Sequence, residues 1–515
     1  MASRPQESEA QPELLIAPSR RLLAGVVLAL SNFMVVLDLT IANVSIPHIA
    51  GNLGISLDQG AWIITSYAVA EAITVPLTGW LASRFGAVRV FISAMVLFGL
   101  FSILCGLAPS LSMLVGFRVF QGLAGGPLMP LSQTLLLRIF PKEKAPAAIG
   151  LWGMTTLVAP ILGPILGGKL CDEFSWPFIF YINVPIALVC AYFGWQLLKR
   201  YETPTLKARI DLVGLALLVV WVSAMQIMLD EGKNLDWFAS QEIVALAIIA
   251  VIGFLAFLIW ELTASEPVVD LRVFRHRGFT MSVITICLAF GAFFGSTVLT
   301  PLWLQNYMGY TATQAGYATA VSGILAVLAA PLAANLSVKV DSRVLVFLGV
   351  LWLGVLTLMR TDATTDMTAW QVSSLLLFQG LGLPFFFMPL TGLALSSVDE
   401  PETASAAGLM NFCRTVSGAF ATSLVQTAWE NQTSRNHEEL AGLVDRSGDT
   451  MRMLNESGLP VEQARGMLEH VVQGQSVMLA TNQVFLWAGL AFVLAATAIW
   501  FAPKPTRVAD TTGAH

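Results

Sequence analysis

Apolar runs about twenty residues long, separated by short polar connections, recur along nearly the whole chain. They fall near 22–44, 60–82, 89–108, 111–135, 148–170, 177–198, 211–229, 243–262, 279–301, 316–337, 344–359, 370–395, 409–428 and 476–501. A hydrocarbon core about 30 Å thick is crossed by roughly 20 helical residues, so the pattern predicts an all-α polytopic membrane protein with about fourteen transmembrane helices. One sizeable polar region interrupts it, from Glu430 to about Gln475. There EELAGLVDR and PVEQARGMLEHVV space apolar residues at helical intervals, and Pro460 suits a first helical turn. Two short amphipathic helices outside the membrane are expected; a solvated loop is the alternative.

The pattern also repeats. Phe120-Gln121-Gly122-Leu123 returns as Phe378-Gln379-Gly380-Leu381, and Pro130-Leu131 as Pro389-Leu390. Such internal repeats point to two related membrane halves enclosing a substrate path. The copies fall in the fourth and twelfth spans, whereas directly joined six-span halves would put them six apart. Two spans are therefore inserted, 211–229 and 243–262. The expected organisation is a cytoplasmic tail at 1–19, a six-helix bundle at 20–198, the inserted pair with linkers at 199–278, a second bundle at 279–502 containing the extracytoplasmic loop 430–475, and a cytoplasmic tail at 503–515.

Charge orients this arrangement. Counted alternately, the connections of one side collect Arg20, Arg21, Arg84, Arg89, Arg138, Lys142, Lys144, Lys199, Arg200, Lys207, Arg209, Arg272, Arg275, Arg277, Lys339, Arg343, Lys504 and Arg507. Short connections of the other side hold only Lys169, Lys233 and Arg360. The positive-inside rule makes the rich side cytoplasmic, together with both termini, in a cell inner membrane. Residues 1–19 are polar and acidic, unlike a cleavable signal peptide.

Composition agrees and excludes other classes. Hydrophobic residues make up 56% and charged residues 12% of the 515, far from the soluble norm. Five scattered cysteines form no CxxC pair, so neither a metal site nor a disulfide framework is expected. Gly163 to Lys169 fits GxxxxGK, but Leu170 replaces the Ser/Thr a nucleotide loop needs, and the stretch reads as a span. Without catalytic motifs, no enzyme is expected.

Four ionisable residues stand inside spans: Asp38, Glu71, Arg118 and Arg414. Each costs at least about 2.5–3.5 kcal/mol on insertion scales and so asks for a function and a partner. Asp38 lies roughly 24 Å up the first span and Arg118 about 10 Å below the outer end of the fourth, which makes them candidate partners. Asp38 and Glu71 are candidate proton sites because burial and a neighbouring guanidinium pull a carboxyl in opposite directions; Arg118 is the fixed charge. A static polar clasp is the competing reading, and Arg414 reads more simply as a packing or gate charge. Asn43, near i+4 from Asp38, is expected on the same cavity wall. In the fifth span Pro160, Gly163, Pro164, Gly167 and Gly168 predict a bending helix that approaches a neighbour closely. Between spans two and three, Gly79, Arg84, Gly86 and Arg89 form a candidate cytoplasmic gate.

Together, LDLTIANVSIPHIAGNLG, GWLASRFGAVRVF, RVFQGLAGGPLMP, APILGPILGGKL and WPFIFYINVPI resemble successive signatures of the major facilitator superfamily. Within it they resemble the fourteen-span drug:proton antiporters of EmrB type. The resemblance runs from about residue 20 to 502. It implies proton coupling through Asp38 and Arg118, an export-marking helix at Gly163, Pro164, Gly167 and Gly168, and work with a periplasmic adaptor and an outer-membrane channel. One departure is Ser83, where the loop signature usually has an aspartate; a charge relay through that loop is thereby put in doubt.

The expected function is efflux of lipophilic or amphipathic small molecules in exchange for protons, by rocking of the two halves within the lipid bilayer. The alternative is proton-coupled transport of one metabolite, lipid or siderophore. The chamber is expected to be lined by Phe33, Met34, Asn43, Trp62, Tyr67, Gln121, Phe290, Phe293 and Phe294, adaptable apolar surface for varied cargo. Gln379 and Arg414 are the counterparts in the second half. No cofactor beyond the proton gradient, no metal and no nucleic-acid partner is expected.

Overall fold

The computed structural model describes residues 18–141, 144–205, 210–310, 312–364, 367–447 and 460–504, and all regular structure among them is helical. The helices are α1 (Pro18–Leu53), α2 (Leu57–Thr74), α3 (Thr78–Phe85), α4 (Ala87–Gly106), α5 (Leu111–Gly125), α6 (Leu128–Ile139), α7 (Ala145–Glu173), α8 (Phe178–Tyr181), α9 (Asn183–Leu198), α10 (Leu212–Glu231), α11 (Gln241–Thr263), α12 (Arg277–Asn306), α13 (Ala312–Ala320), α14 (Ser322–Lys339), α15 (Ser342–Leu358), α16 (Ala369–Ser396), α17 (Thr403–Ser447) and α18 (Val461–Ala498). Ten are long and apolar enough to cross a membrane, or twelve when two bent pairs are counted as single spans. One pair is α2 with α3, bent by 58°; the other lies within α7, where Ala148–Pro160 and Ile165–Glu173 meet at 48°. The bend expected of the proline-glycine helix is therefore present, although the Pro164 side chain lies outside the described side chains.

Local sequence explains where the helices begin. Ser56 with Gln59, and Thr368 with Gln371, form capping boxes at α2 and α16. Ser110, Asp211, Ser240 and Asp341 accept the first free N–H groups of α5, α10, α11 and α15. Arg343 holds the Asp341 carboxyl below the usual carboxylate range by hydrogen bonding at 2.9 Å.

Packing sorts the helices into two bundles. In the first, α1 packs on α7 and α9, α2 on α5, and α4 on α5 and α9; in the second, α12 packs on α17 and α18, α14 on α16, and α15 on α16 and α18. Helix α10 touches both, through α2 and α17. The bundles close on one another at the face carrying both ends of the described chain. There Nδ2 of Asn411 donates to Oε1 of Gln133 at 2.7 Å, and Trp152 stacks on Phe387 at 6.2 Å.

The polar region departs from expectation. The stretches assigned to two short helices are the distal turns of α17 and α18, each running without a break out of a long helix. His437 meets Glu469 at 2.9 Å, and Trp429 donates to Thr481 at 2.9 Å, so the two extensions form an antiparallel arm. Helical spacing was legible; no Pro separates either stretch from its span, and the single Gly474 before the last span is tolerated inside a helix, which is why the helices continue. Residues 448–459 lie outside the described residues, as do Lys142, Lys207, Arg209 and Arg507 and most of the predicted tails 1–19 and 503–515.

Candidate functional site

Five polar side chains converge inside the first bundle. Asp38 comes from the middle of α1, Ser102 from α4, Arg118 and Gln121 from α5, and Asn183 from the first turn of α9, and every one is fully buried. Arg118 and Gln121 are three apart and share a helix face. Nη1 of Arg118 donates to Oδ2 of Asp38 at 2.5 Å and to Oε1 of Gln121 at 2.9 Å, while Nε reaches the Ile63 carbonyl at 3.1 Å. Oδ1 of Asp38 accepts from Asn183 at 2.7 Å and from Gln121 at 3.2 Å. Both amides also donate to Oγ of Ser102, at 3.1 and 3.2 Å. The guanidinium lies 4.2 Å from the Tyr67 ring centroid. The expected partnership of Asp38 with Arg118 is thus present.

This geometry sets the chemistry. An ionised carboxylate only accepts hydrogen bonds, and here three donors face it. Nη2 of Arg118, Oη of Tyr67 and Oδ1 of Asn183 have no hydrogen-bond partner among the described residues, so the closed nest is incompletely satisfied.

Glu71 on α2 is also buried, at 7% exposure, but its carboxylate makes no hydrogen bond or ion pair among the described residues. It does not join Asp38. Arg414 on α17 is buried across the bundle interface, its guanidinium 5.0 Å from the Phe290 ring and 5.6 Å from that of Phe387, with an Nη2 contact to the Met129 sulfur. A gate or packing charge between bundles fits that position. Gln379 donates to Thr357 at 3.4 Å, as Gln121 donates to Ser102.

The small residues of α7 lie directly on α1. A Cβ added at Gly163 would strike the Thr40 side chain, and one at Gly167 would lie 3.0 Å from the Ile41 carbonyl. Next to them Nδ2 of Asn32 donates to Thr155 and Thr156 at 2.8 and 2.7 Å, pinning the first half of the bent helix. Gly168 faces open space, and Pro160 closes the straight segment. In the gate stretch, a Cβ at Gly79 would lie 2.8 Å from the Ser405 Cα, so the two bundles touch backbone to backbone there. Gly86 has φ +92, which favours glycine, and makes room for the Glu202 carboxylate, which accepts the α4 amides of Val88 and Arg89 at 2.9 and 3.1 Å. Arg89 lies 3.8 Å from the same carboxylate, and Arg84 shares a surface groove with it.

The predicted chamber lining does not hold together. Met34, Tyr67 and Gln121 are fully buried, the last two in or against the Asp38 nest, whereas Trp62 and Asn43 are exposed and Phe33 is half-buried. Asn43 is five residues from Asp38, about 140° around the helix, so the two do not share a wall. Phe33 and Met34 are adjacent and turn to different faces for the same reason. Only Phe290, Phe293 and Phe294 cluster, with Phe386 and Phe387, at centroid distances from 5.1 to 6.3 Å.

Sequence reading missed Ser102 and Asn183 in the nest, and the buried charges Glu261 and Arg360. A lone asparagine within the apolar WPFIFYINVPI was the available signal. Arg360, counted as a loop charge, is instead buried at the end of α15, 3.9 Å from the Phe485 ring. His276, Asp399 and Glu402 bring ligand atoms within 4.8 Å of one another, but Arg275 already pairs with both carboxylates, at 3.4 and 2.7 Å.

Two helical bundles packed against one another, with an ion pair buried inside the first, make up the architecture of a membrane transporter. Residues 28–422 match the Major Facilitator Superfamily, and the chain belongs to that family. Multidrug export protein EmrB of Escherichia coli K12 is 43% identical over 485 residues, covering 93% of this chain and 95% of its own length. Fatty acid resistance protein FarB of Neisseria gonorrhoeae is 42% identical over 482 residues, again covering 93% and 95%. Among solved structures, the human organic anion transporter MFSD10 superposes with a TM-score of 0.59 at 12% identity over 94% of this chain and all of that one, a likeness of fold.

Proposed function

We propose that this chain is a proton-coupled multidrug efflux antiporter of the cell inner membrane. Kinship at about two residues in five with multidrug export proteins, along almost the whole length, supports the efflux reading. The observation that carries the coupling is the Asp38–Arg118 pair, fully buried and held from four helices. Cargo is lipophilic or amphipathic, and the similarity to a fatty acid resistance protein extends it to fatty acids. Proton-coupled transport of a single metabolite, lipid or siderophore is the narrower alternative.

The count of fourteen spans is completed by the stretch holding α5 and α6, broken at Gly126-Pro127, and by the first two thirds of α17. With two halves of six, α10 and α11 are the inserted pair. The closed face, which carries the basic residues, is cytoplasmic along with both termini. No cofactor is involved beyond the proton gradient.

Everted vesicles test the function. Accumulation of a fluorescent cargo should follow the proton gradient and collapse with a protonophore while ATP remains; ATP-driven transport with the gradient collapsed would refute antiport. The arm of α17 and α18 projects beyond the membrane as a docking element for a periplasmic adaptor, and through it an outer-membrane channel. Replacing residues 440–468 by a short flexible linker should leave vesicle transport intact and abolish co-purification of the adaptor. Undiminished co-purification would contradict the docking role.

A further inference from the structure

The second bundle contains a counterpart of the Asp38 nest from which the acid is missing. In the first bundle the repeated Phe-Gln-Gly-Leu glutamine, Gln121, bonds Ser102 of the neighbouring helix; in the second, Gln379 bonds Thr357 of α15. In the first, a buried guanidinium lies 5.6 Å from Phe180, at the start of the bundle's last span; in the second, Arg360 lies 3.9 Å from Phe485 of α18. Asn183 stands three residues after Phe180, and Asn482 three residues before Phe485, and in both asparagines Oδ1 has no partner among the described residues. The guanidinium in each case bonds the bundle's first helix at 2.5 Å. In the first bundle that partner is the Asp38 carboxylate; in the second it is the hydroxyl of Thr300.

Arg360 is therefore a cation at 5% exposure with no carboxylate within ion-pair reach among the described residues. Asp362, two residues on, is exposed and does not pair with it. Arginine does not shed its proton in proteins, and an uncompensated buried charge is strongly unfavourable, so this position asks for an anion. A cavity adjoins it, lined by Arg360, Trp303, Ala363, Met367, Val372 and Phe485 and no larger than one water or halide. The Trp303 indole makes no hydrogen bond to another described residue. We propose that the second bundle holds one monatomic anion, chloride under physiological conditions, between the Arg360 guanidinium and the Trp303 indole. The small, mostly apolar cavity excludes phosphate, lipid headgroups and cargo. The ion neutralises the charge that Asp38 neutralises in the other bundle.

The test is thermal melting of the purified full-length protein in chloride, bromide or gluconate at equal ionic strength. Wild type should show a saturable upward shift in Tm with either halide over gluconate. Arg360→Gln should remove that shift. Thr300→Asp supplies the missing acid within reach of Arg360, and should melt at least as high as halide-loaded wild type while becoming indifferent to the anion. Should R360Q fail to fold, T300D decides alone. Identical wild-type melting in chloride and gluconate, or a halide shift that persists in T300D, overturns the proposal.

Discussion

Asp38→Asn is expected to reduce gradient-driven efflux to background while the protein still inserts. Asparagine keeps the size of the side chain and can accept from Arg118, but it carries no proton and no charge. The variant also leaves the Arg118 guanidinium buried without a counter-charge, and breaking such a pair from one side costs about 3–5 kcal/mol. Arg118→Met should destabilise comparably by stranding the carboxylate. The double variant Asp38→Asn with Arg118→Met removes both charges together and should regain much of the lost stability without regaining transport. A static clasp predicts the opposite: restored packing would restore activity. Melting curves alongside vesicle efflux for the two single variants and the double separate these cases.

Gly79→Val is the second large effect expected. The glycine lies against the Ser405 backbone, where the bundles meet at the closed face, and an added Cβ would come within 2.8 Å of the Ser405 Cα. Overpacking of this kind costs about 1–3 kcal/mol, charged here to the closed form alone. Each 1.4 kcal/mol shifts the balance between open and closed about tenfold, so the face should stand open for most of the time. A cysteine introduced at Gln133, which bonds Asn411 across the interface, should then react with a hydrophilic maleimide much faster than in the Gly79 background, and efflux should fall in parallel. Unchanged labelling with lost efflux would assign Gly79 a role other than closure.

Much of this was legible from the order of residues because membrane helices advertise themselves locally. Long apolar runs, the doubled Phe-Gln-Gly-Leu and the glycine-proline run of the fifth span all translate into elements that form as expected. The pairing of Asp38 with Arg118 was legible from depth alone, since two rare charges at one level of the bilayer need each other. Side-chain direction was less legible. Asn43 was placed by a spacing only near i+4 from Asp38 and Met34 was grouped with its neighbour Phe33, and the turn of the helix carries each onto another face than its companion. Ser102 and Asn183 carry no charge and are ordinary residues until four helices bring them to one carboxylate. Arg360 was read as a loop charge because it stands at the end of an apolar run; folding turns it inward onto Phe485, which no local pattern records.

The central claim is that the Asp38 nest opens and takes up a proton in exchange for cargo. Proton release on cargo binding measures this most directly, using purified protein in weakly buffered solution with a pH indicator dye. The account predicts a stoichiometric pulse of protons from wild type when cargo is added, and none from Asp38→Asn that still binds it. A pulse of equal size from the Asp38→Asn variant would contradict it.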